Sequence, residues 1–294
     1  MKILVTGAAG QLGSYLVERL SVEHEVTGLD LRAPEPQQET FVKGDIKDYK
    51  LAMNLCKDKD AVIHAAAQVS VDRSVSDPVL DASENIMGTI NMLEAATKTM
   101  AGQFIYISSA AIFGDPVKTP LDEGHPTSPL SPYGASKLAG EKYALAFHST
   151  YGLNATSIRP FNIYSPRQDP LSPYSGVITR FIDMAKEGGP LTIHGDGSQT
   201  RDFVHAEDVV KMVELCLGNE KAYGQIFNCG TGKATSVKEL AEIVIELSGK
   251  EIELTFGERR KGDILHSLAD ISRAREILGY QPKVELKEGL GQLI

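Results

Sequence analysis

The segment Lys2-Ile3-Leu4-Val5-Thr6-Gly7-Ala8-Ala9-Gly10-Gln11-Leu12-Gly13 decides the fold class of this protein. Its first five residues form an apolar run that is typical of a buried strand, and the pattern from Gln11 to Leu20 is typical of a helix. Glycines at the junction, in the spacing GxxGxxG, let backbone N–H groups approach a phosphate at the positive end of the helix. The sequence therefore predicts a strand, a phosphate-binding turn and a helix in succession.

An acidic residue sharpens the prediction of the ligand. The spacing GxxGxxG departs from the GxGxxG template of dinucleotide-binding folds. However, Asp30 ends the second predicted strand, about 20 residues further on, where a carboxylate accepts both ribose hydroxyls and repels a 2′-phosphate. Arg32 lies close by and could receive such a phosphate. On balance, the sequence favours NAD over NADP as the cofactor.

The first half of the chain alternates between short β-branched runs and amphipathic stretches. Such alternation predicts a doubly wound parallel sheet with helices on both faces, which is an α/β fold. The predicted strands are Lys2–Thr6, Glu25–Leu29, Thr40–Lys43, Ala61–His64, Gln103–Ser108 and Ala155–Arg159.

Beyond Pro160 the pattern changes to a proline-rich stretch followed by helical patterns. We expect a second, smaller α/β domain there, and we divide the chain into an NAD-binding domain at 1–163 and a substrate-binding domain at 164–294. This boundary is approximate, and parts of the two domains can interleave. The predicted helices are Gly176–Lys186, Glu207–Leu217, Val237–Leu247 and Ser272–Leu278.

Length, charge and composition exclude several classes of protein. The 294 residues suffice for two domains at about 100 to 200 residues each. The formal net charge of −9 argues against a nucleic-acid partner, and no apolar run approaches the roughly 20 residues that span a bilayer. The sequence opens with no export signal, so we expect a cytoplasmic protein. Isolated cysteines and histidines without ligand spacing predict no metal site.

Two residues carry the predicted chemistry. Tyr133 and Lys137 stand four apart at the start of a helical pattern, and therefore on one face of the helix. A lysine ammonium stabilises a phenolate, so the tyrosine can act as a base nearer to neutral pH. Ser108 and Ser109 end the fifth predicted strand, and the carboxyl ends of such strands line the ligand crevice.

Together these residues resemble the extended short-chain dehydrogenase/reductase family, and in particular its nucleotide-sugar 4-epimerases. The resemblance covers nearly the whole chain. Its further marks are Asp45-Ile46, His64-Ala65-Ala66-Ala67, Asn85, Ser108 to Gly114, Arg159-Pro160-Phe161-Asn162, Arg201-Asp202-Phe203 and Arg259 to Asp263.

The resemblance implies roles for individual residues. Ser109, Tyr133 and Lys137 are the catalytic set. By this resemblance, the residues expected to contact NAD are Gly7, Gly10, Gln11, Leu12, Gly13, Asp30, Asp45, Ile46, Ala65, Ala66, Asn85, Tyr133 and Lys137. By the same resemblance, the residues expected to contact a UDP-sugar are Ser109, Tyr133, Asn162, Arg201, Arg260, Asp263 and Ser267.

One departure from the family pattern bears on the reaction. Related dehydratases carry an Asp-Glu pair directly after the catalytic Ser/Thr, where this chain has Ala110-Ala111. An acid and base for elimination are therefore missing, and 4-epimerisation through transient oxidation at C4 is the expected reaction. UDP-glucuronate epimerisation or decarboxylation is an alternative within the family, and a non-catalytic NAD-binding sensor is an alternative outside it.

The resemblance also bears on the sugar and on assembly. In related epimerases, the residue equivalent to Ser267 lies beside the sugar's C2 substituent, where a large tyrosine is frequent. A small serine leaves space for an N-acetyl group, which predicts activity on UDP-N-acetylglucosamine and UDP-N-acetylgalactosamine. The family's dimers form through the helices equivalent to 78–99 and 132–151, so we expect a homodimer.

Overall fold

The computed structural model describes residues 1–34, 40–168, 176–259 and 264–294. At its centre is a seven-stranded parallel sheet. Its strands, in order from one edge to the other, are β11 (Ile226–Cys229), β6 (Ala155–Pro160), β5 (Phe104–Ile107), β4 (Ala61–His64), β1 (Lys2–Thr6), β2 (Glu25–Asp30) and β3 (Phe41–Lys43).

Helices cover both faces of the sheet, because successive side chains on each strand point to opposite faces. Ile3 and Val5 pack in one core cluster with Leu16 of the first helix, whereas Leu4 packs in a second cluster with Met92 and Leu93. The α-helices are α1 (Gln11–Leu20), α2 (Tyr49–Cys56), α3 (Val71–Ser76), α4 (Pro78–Ala82), α5 (Gly88–Lys98), α6 (Pro132–Tyr151), α7 (Val177–Glu187), α8 (Ala206–Cys216), α9 (Val237–Ser248), α10 (Ser272–Leu278) and α11 (Leu286–Gly291).

Three two-stranded ladders and a third core cluster form the other end of the molecule. In this cluster, Ile178 and Phe181 of α7 pack with Leu240 and Val244 of α9. The ladders join β7 (Asn162–Tyr164) to β10 (Phe203–His205), β9 (Thr200–Arg201) to β12 (Thr235–Ser236), and β8 (Leu191–His194) to β13 (Leu254–Gly257).

The structure confirms the predicted α/β class and all six predicted strands to within one residue at each end. The four predicted helices of the second half are present with similar bounds. Patterning missed β11, which pairs with β6 although it lies beyond residue 163. It also missed the ladders, because strands of two to four residues are too short to show a clear alternation. The proposed boundary at 163/164 therefore does not enclose the whole central sheet in the first domain, because β11 comes from the second half of the chain.

The stretch predicted as one helix over 78–99 changes its winding in the middle. α4 leads into one π-helical segment, Ser83–Met87, which continues into α5. A π-helical turn shifts the side chains that follow it and is frequent at functional sites. Here the segment contains Asn85, one of the predicted site residues. Within the described part of the chain, no helix is long and apolar enough to cross a membrane.

Candidate active site

The glycine turn after β1 is built for close backbone approach. Gly7 has a φ of +71°, and a Cβ on it would lie 2.7 Å from the backbone nitrogen of Ala66. A Cβ on Gly13 would lie 1.9 Å from the carbonyl oxygen of Gly7. These two positions require glycine, because neither a left-handed backbone nor such contacts suit another residue. The N-terminus of α1 therefore packs directly against the turn, with Gly10 as its N-cap.

Asp30 lies beside this turn. Its Oδ2 accepts a hydrogen bond of 3.0 Å from the backbone N–H of Ala9, and its Oδ1 accepts one of 3.1 Å from that of Arg32. A carboxylate has further acceptor positions, so the side chain retains capacity for ribose hydroxyls. The cradle without Cβ atoms and the partly exposed carboxylate beside it both fit a dinucleotide.

The other predicted cofactor residues follow neighbouring strands. Asp45 and Ile46 follow β3, and Asp45 Oδ1 accepts a 2.8 Å hydrogen bond from the backbone of Lys47. Ala65 and Ala66 follow β4, and the N–H of Ala66 donates to Thr6 Oγ1 at 3.2 Å. The carboxyl ends of these parallel strands lie along one edge of the sheet, so the structure brings both pairs to the side of the glycine turn.

The predicted catalytic residues come from β5 and α6. Helix α6 begins with Ser131 as N-cap, whose side chain accepts from the N–H of Gly134, and with Pro132 in the first turn. This start places Tyr133 and Lys137 one turn apart. Ser109 follows β5 and forms a side-chain hydrogen bond with Tyr133. The structure therefore brings the three predicted residues together.

Burial dominates the electrostatics of this group. It lowers the pKa of Lys137 to about 7, and the negative charges of Asp81 and Glu141 oppose that shift. The ammonium donates to the carbonyl oxygen of Ile107 and lies 4.5 Å from the ring centroid of Tyr106. Burial also raises the pKa of Tyr133, while the hydrogen bond from Ser109 lowers it. Phenolate formation near neutral pH therefore requires positive charge close to the hydroxyl.

His64, the last residue of β4, is a buried structural residue. Burial first and the charge of Lys137 second lower its pKa to about 3, so the imidazole is neutral at physiological pH. Its ring nitrogens are hydrogen-bonded to Thr6 Oγ1 at 2.8 Å and to Thr89 Oγ1 at 3.1 Å. Among the described residues, no cluster of three or more His, Cys, Asp or Glu side chains is arranged to hold a metal.

Asn85 is fully engaged with neighbours that the sequence analysis did not single out. Its Nδ2 lies 3.0 Å from Ser136 Oγ and 3.1 Å from Asp81 Oδ1, and its Oδ1 accepts a 2.8 Å bond from the N–H of Gln68. Asp81 is four residues before Asn85 in a helical pattern. That spacing was the only sequence signal for it, because a lone carboxylate on a helix is usually exposed.

Arg159, the first residue of the Arg-Pro-Phe-Asn motif, lies in the core rather than in the cleft. Its guanidinium makes two hydrogen bonds to the Glu141 carboxylate, of 2.8 and 2.7 Å, and a third of 3.0 Å to the carbonyl oxygen of Glu123. Both charged side chains are almost completely buried. This bidentate pair ties β6 to the middle of α6, and so fixes the helix that carries Tyr133 and Lys137.

Asn162 and Arg201 line a cleft of about 640 Å³ between the sheet edge and the ladders. Asn162 Nδ2 donates to the carbonyl oxygen of Asp202 at 3.1 Å, while Arg201 Nη1 donates to that of Thr200 at 2.9 Å. The cleft wall also contains polar residues that the sequence analysis missed, because no local motif marks them. They include Arg180, His194 and Gln199.

The remaining substrate-site predictions fall on the 260–270 segment. The backbone N–H of Ser267 donates to the carbonyl oxygen of Thr200 at 3.1 Å, which places Ser267 next to the strand that carries Arg201. Arg260 and Asp263 lie outside the described residues. Asp202 has a structural role, since its carboxylate accepts hydrogen bonds from the backbone N–H groups of Thr231 and Gly232.

Comparisons with known proteins identify the family to which this fold belongs. The model of the NAD dependent epimerase/dehydratase family matches residues 3–230. The UDP-glucose 4-epimerase of Mycolicibacterium smegmatis is 41% identical over 307 residues, covering 100% of this chain and 97% of the relative.

Two solved structures are similar over their whole length. A UDP-glucose 4-epimerase of Thermotoga maritima with UDP-glucose has a TM-score of 0.94 at 37% identity, covering 100% of this chain and 97% of that one. A UDP-N-acetylglucosamine 4-epimerase of Methanobrevibacter ruminantium, in complex with UDP-N-acetylmuramic acid, also has a TM-score of 0.94, at 33% identity, covering 99% and 96%.

The parallel sheet, the glycine turn and the Ser109–Tyr133–Lys137 group define a Rossmann-like enzyme of the extended short-chain dehydrogenase/reductase class. Within that class, the chain belongs to the NAD dependent epimerase/dehydratase family. The resemblance found in the sequence motifs is therefore confirmed, as are the predictions of an enzyme and of NAD as its cofactor.

Proposed function

We propose that this protein is a UDP-sugar 4-epimerase that works through transient oxidation at C4. The observation that carries the proposal is the hydrogen-bonded pair of Ser109 and Tyr133 at the end of the sheet, one helical turn from Lys137. The 3₁₀ turn directly after Ser109 holds Ala110 and Ala111, and neither has an acid or base for elimination. Epimerisation needs a base for one hydroxyl and no such pair.

The proposed cofactor site uses residues from the whole edge of the sheet. The glycine turn with Gln11 and Leu12 would hold the pyrophosphate, Asp30 would hold a ribose, and Asp45 with Ile46 would hold the adenine. Ala65, Ala66 and Asn85 would serve the nicotinamide half. When bound, NAD supplies a hydride acceptor that can return the same hydride to the sugar.

The protein's own residues move the proton in this mechanism. Tyr133 takes the proton of the sugar 4-hydroxyl, and Ser109 hydrogen-bonds the same oxygen as it becomes a carbonyl. The Lys137 ammonium stabilises the phenolate form of Tyr133, which exists before Tyr133 takes the proton and again after it returns the proton. After the 4-keto sugar has presented its other face, Tyr133 returns the proton. Asn162 and Arg201 hold the diphosphate, and Arginine's planar fork suits that anion.

The finer part of the proposal concerns the sugar. We infer that the acetamido pair, UDP-N-acetylglucosamine and UDP-N-acetylgalactosamine, is accepted together with UDP-glucose and UDP-galactose. Ser267 supports this inference, since it is small, partly exposed and bonded to Thr200, whose chain neighbours Gln199 and Arg201 line the cleft. A pocket with spare volume admits the larger substituent but rejects the smaller one only weakly. The names of the relatives, which include epimerases of both kinds, are consistent with it.

The proposal is tested by incubating the purified protein with UDP-glucose, UDP-galactose, UDP-glucuronate and the two UDP-N-acetylhexosamines, and by separating the products. We expect interconversion within the plain pair and within the acetamido pair. A carboxylated substrate that alone is turned over, or that releases carbon dioxide, would establish the glucuronate alternative. Tight NAD binding without turnover of any of these sugars would favour the sensor.

We further propose a homodimer that forms through the helices at 78–98 and 132–151. These helices expose apolar side chains, notably Val79 at 77%, Met87 at 57% and Tyr143 at 42% of their surface. An apolar face of this kind is typical of an isologous interface. Sedimentation at micromolar concentration should give twice the 31.8 kDa mass of one chain. A monomer as the sole species would refute the dimer.

A further inference from the structure

Asp81 is a buried carboxylate next to the proposed catalytic group. Its side chain lies on α4 and is 1% exposed. Its Oδ1 accepts two hydrogen bonds, from Gln68 Nε2 at 2.9 Å and from Asn85 Nδ2 at 3.1 Å. Both donors are neutral amides, and among the described residues Asp81 has no cation within ion-pair distance. A buried charge is costly unless a nearby charge compensates it.

Asp81 acts electrostatically on Lys137, which is buried on the facing helix. The α4 helix packs against α6, and Asn85 connects the two through its bond to Ser136 Oγ, the residue directly before Lys137. Asp81 is the largest source of negative potential at Lys137, and it also acts on Tyr133 and Tyr106. Two buried and opposite charges thus lie on facing helices, joined by the amide of Asn85.

The other charged groups around this pair are neutralised or remote from the interior. On α6, Glu141 is paired with Arg159. On the π-helical segment, Glu84 is paired with Lys47. On α3, Asp72 and Arg73 are exposed to solvent, which screens them.

The remaining titratable groups that face the pair are uncharged at neutral pH. His64 on β4 has a pKa lowered by burial, and Tyr106 on β5 has one raised by burial. Among the described acidic groups around Lys137, Asp81 is therefore the buried one that has no cationic partner in direct contact.

We propose that Asp81 is a positioning residue that keeps the Lys137 ammonium charged and thereby sets the pH range of catalysis. The proposal rests on the proposed function, because it acts through Tyr133 and Lys137. A negative charge favours protons on both members of that pair. In the active form of the pair, Tyr133 is deprotonated and Lys137 is protonated. Activity is therefore lost at low pH, where Tyr133 gains a proton, and at high pH, where Lys137 loses one. Asp81 therefore raises both pH limits of activity.

The test is the change Asp81→Asn. An asparagine oxygen can still accept from Gln68 and Asn85, so the shape and hydrogen bonds are kept and only the charge is removed. We expect both limbs of the kcat–pH profile to move to lower pH by about half a unit or more, with KM for the UDP-sugar changed less than twofold. Asp81→Glu, which restores the charge, should move the limbs back towards their original positions.

Asp208→Asn is the matched control. Asp208 is also a buried carboxylate with two hydrogen bonds, here from the backbone N–H groups of Lys283 and Val284, but it is not a source of potential at Lys137. This control should lose stability without moving either limb. Limbs that stay in place in Asp81→Asn, or that move equally in Asp208→Asn, would overturn the proposal.

A second measurement does not depend on turnover. The phenolate absorbance of Tyr133 is isolated as the difference between the protein and Tyr133→Phe, titrated with and without Asp81→Asn. The proposal expects the Tyr133 pKa to fall when the charge of Asp81 is removed, and an unchanged pKa would overturn it. Absence of epimerase activity with a shifted phenolate titration would refute the proposed function while leaving the role of Asp81 intact.

Discussion

The cofactor end and the substrate end of the cleft are built on different principles. At the cofactor end, Thr6 pairs with both Leu29 and His64 across neighbouring parallel strands, so the residues after these strands meet at one edge. At the substrate end, Arg201 and Ser267 approach through short ladders, including the bridge between Thr200 and His266. A long parallel register aligns many residues at once, whereas each short ladder joins two distant segments independently.

This contrast predicts which single substitutions have severe effects. The proposed cofactor and catalytic residues are tied to the rigid sheet and to the long helix α6, so losing one group there should affect chemistry or folding directly. Of the proposed substrate residues, Asn162 and Arg201 line an open cleft, where one side chain adjusts selectivity. The effects of substitution should therefore fall from the catalytic helix, through the glycine turn and Asp30, to Ser267.

The largest effect is expected for Tyr133→Phe. The change removes the hydroxyl that moves the proton but keeps the ring, so kcat should fall by about two decades or more while NAD binding and folding persist. Tyr151→Phe is the control, since Tyr151 ends the same helix and is 61% exposed. Turnover of Tyr133→Phe within a few-fold of the parent would contradict the mechanism.

Replacement of Gly7 tests whether the cofactor turn is as rigid as its contacts indicate. In Gly7→Ala, the new Cβ would lie 2.7 Å from the backbone of Ala66 at a φ of +71°, so denaturant unfolding should show a loss of about 3 kcal/mol or more. Gly152→Ala separates the two causes, because Gly152 has a φ of +73° and no atom within 4 Å. The control should lose only about 1 kcal/mol. Equal losses would mean that the close contact is unimportant.

The third change, Asp30→Ala, tests the cofactor choice. It should weaken NAD binding and raise the relative affinity for NADP by about tenfold, because the carboxylate both accepts ribose hydroxyls and repels a 2′-phosphate. Titration of both dinucleotides gives the ratio directly. Asp183→Ala, which removes an exposed carboxylate from α7, is the control for net charge. If the ratio stays constant in Asp30→Ala, Asp30 does not read the ribose.

The smallest effect is expected for Ser267→Tyr. The ring would occupy the volume that an N-acetyl group needs, so kcat/KM for the acetamido sugars should fall about tenfold relative to that for the plain sugars. Ser272→Tyr makes the same change at an exposed position at the start of α10 and should leave the ratio unchanged. Equal losses on both pairs of sugars, or a native enzyme restricted to the plain pair, would contradict the pocket argument.

The sequence alone was sufficient for the fold class and for the prediction that Ser109, Tyr133 and Lys137 come together. The strand, glycine turn and helix at residues 2–20 are a local signal, and Tyr133 and Lys137 share a helix face by spacing alone. Because parallel strands end at a common edge, the order of strands and turns was enough to predict that Asp30, Ala65 and Ser109 face one crevice.

Only the tertiary structure decided which buried charges surround that group. Glu141 and Asp81 are both acidic residues in helical patterns, yet Glu141 is neutralised by Arg159 from β6 while Asp81 meets only amides. Likewise, β11 completes the sheet from the second half of the chain. Local patterns report the periodicity of one segment, whereas the compensation of a buried charge depends on the segments that pack against it. Charge pairing and strand partnership are therefore properties of the folded chain.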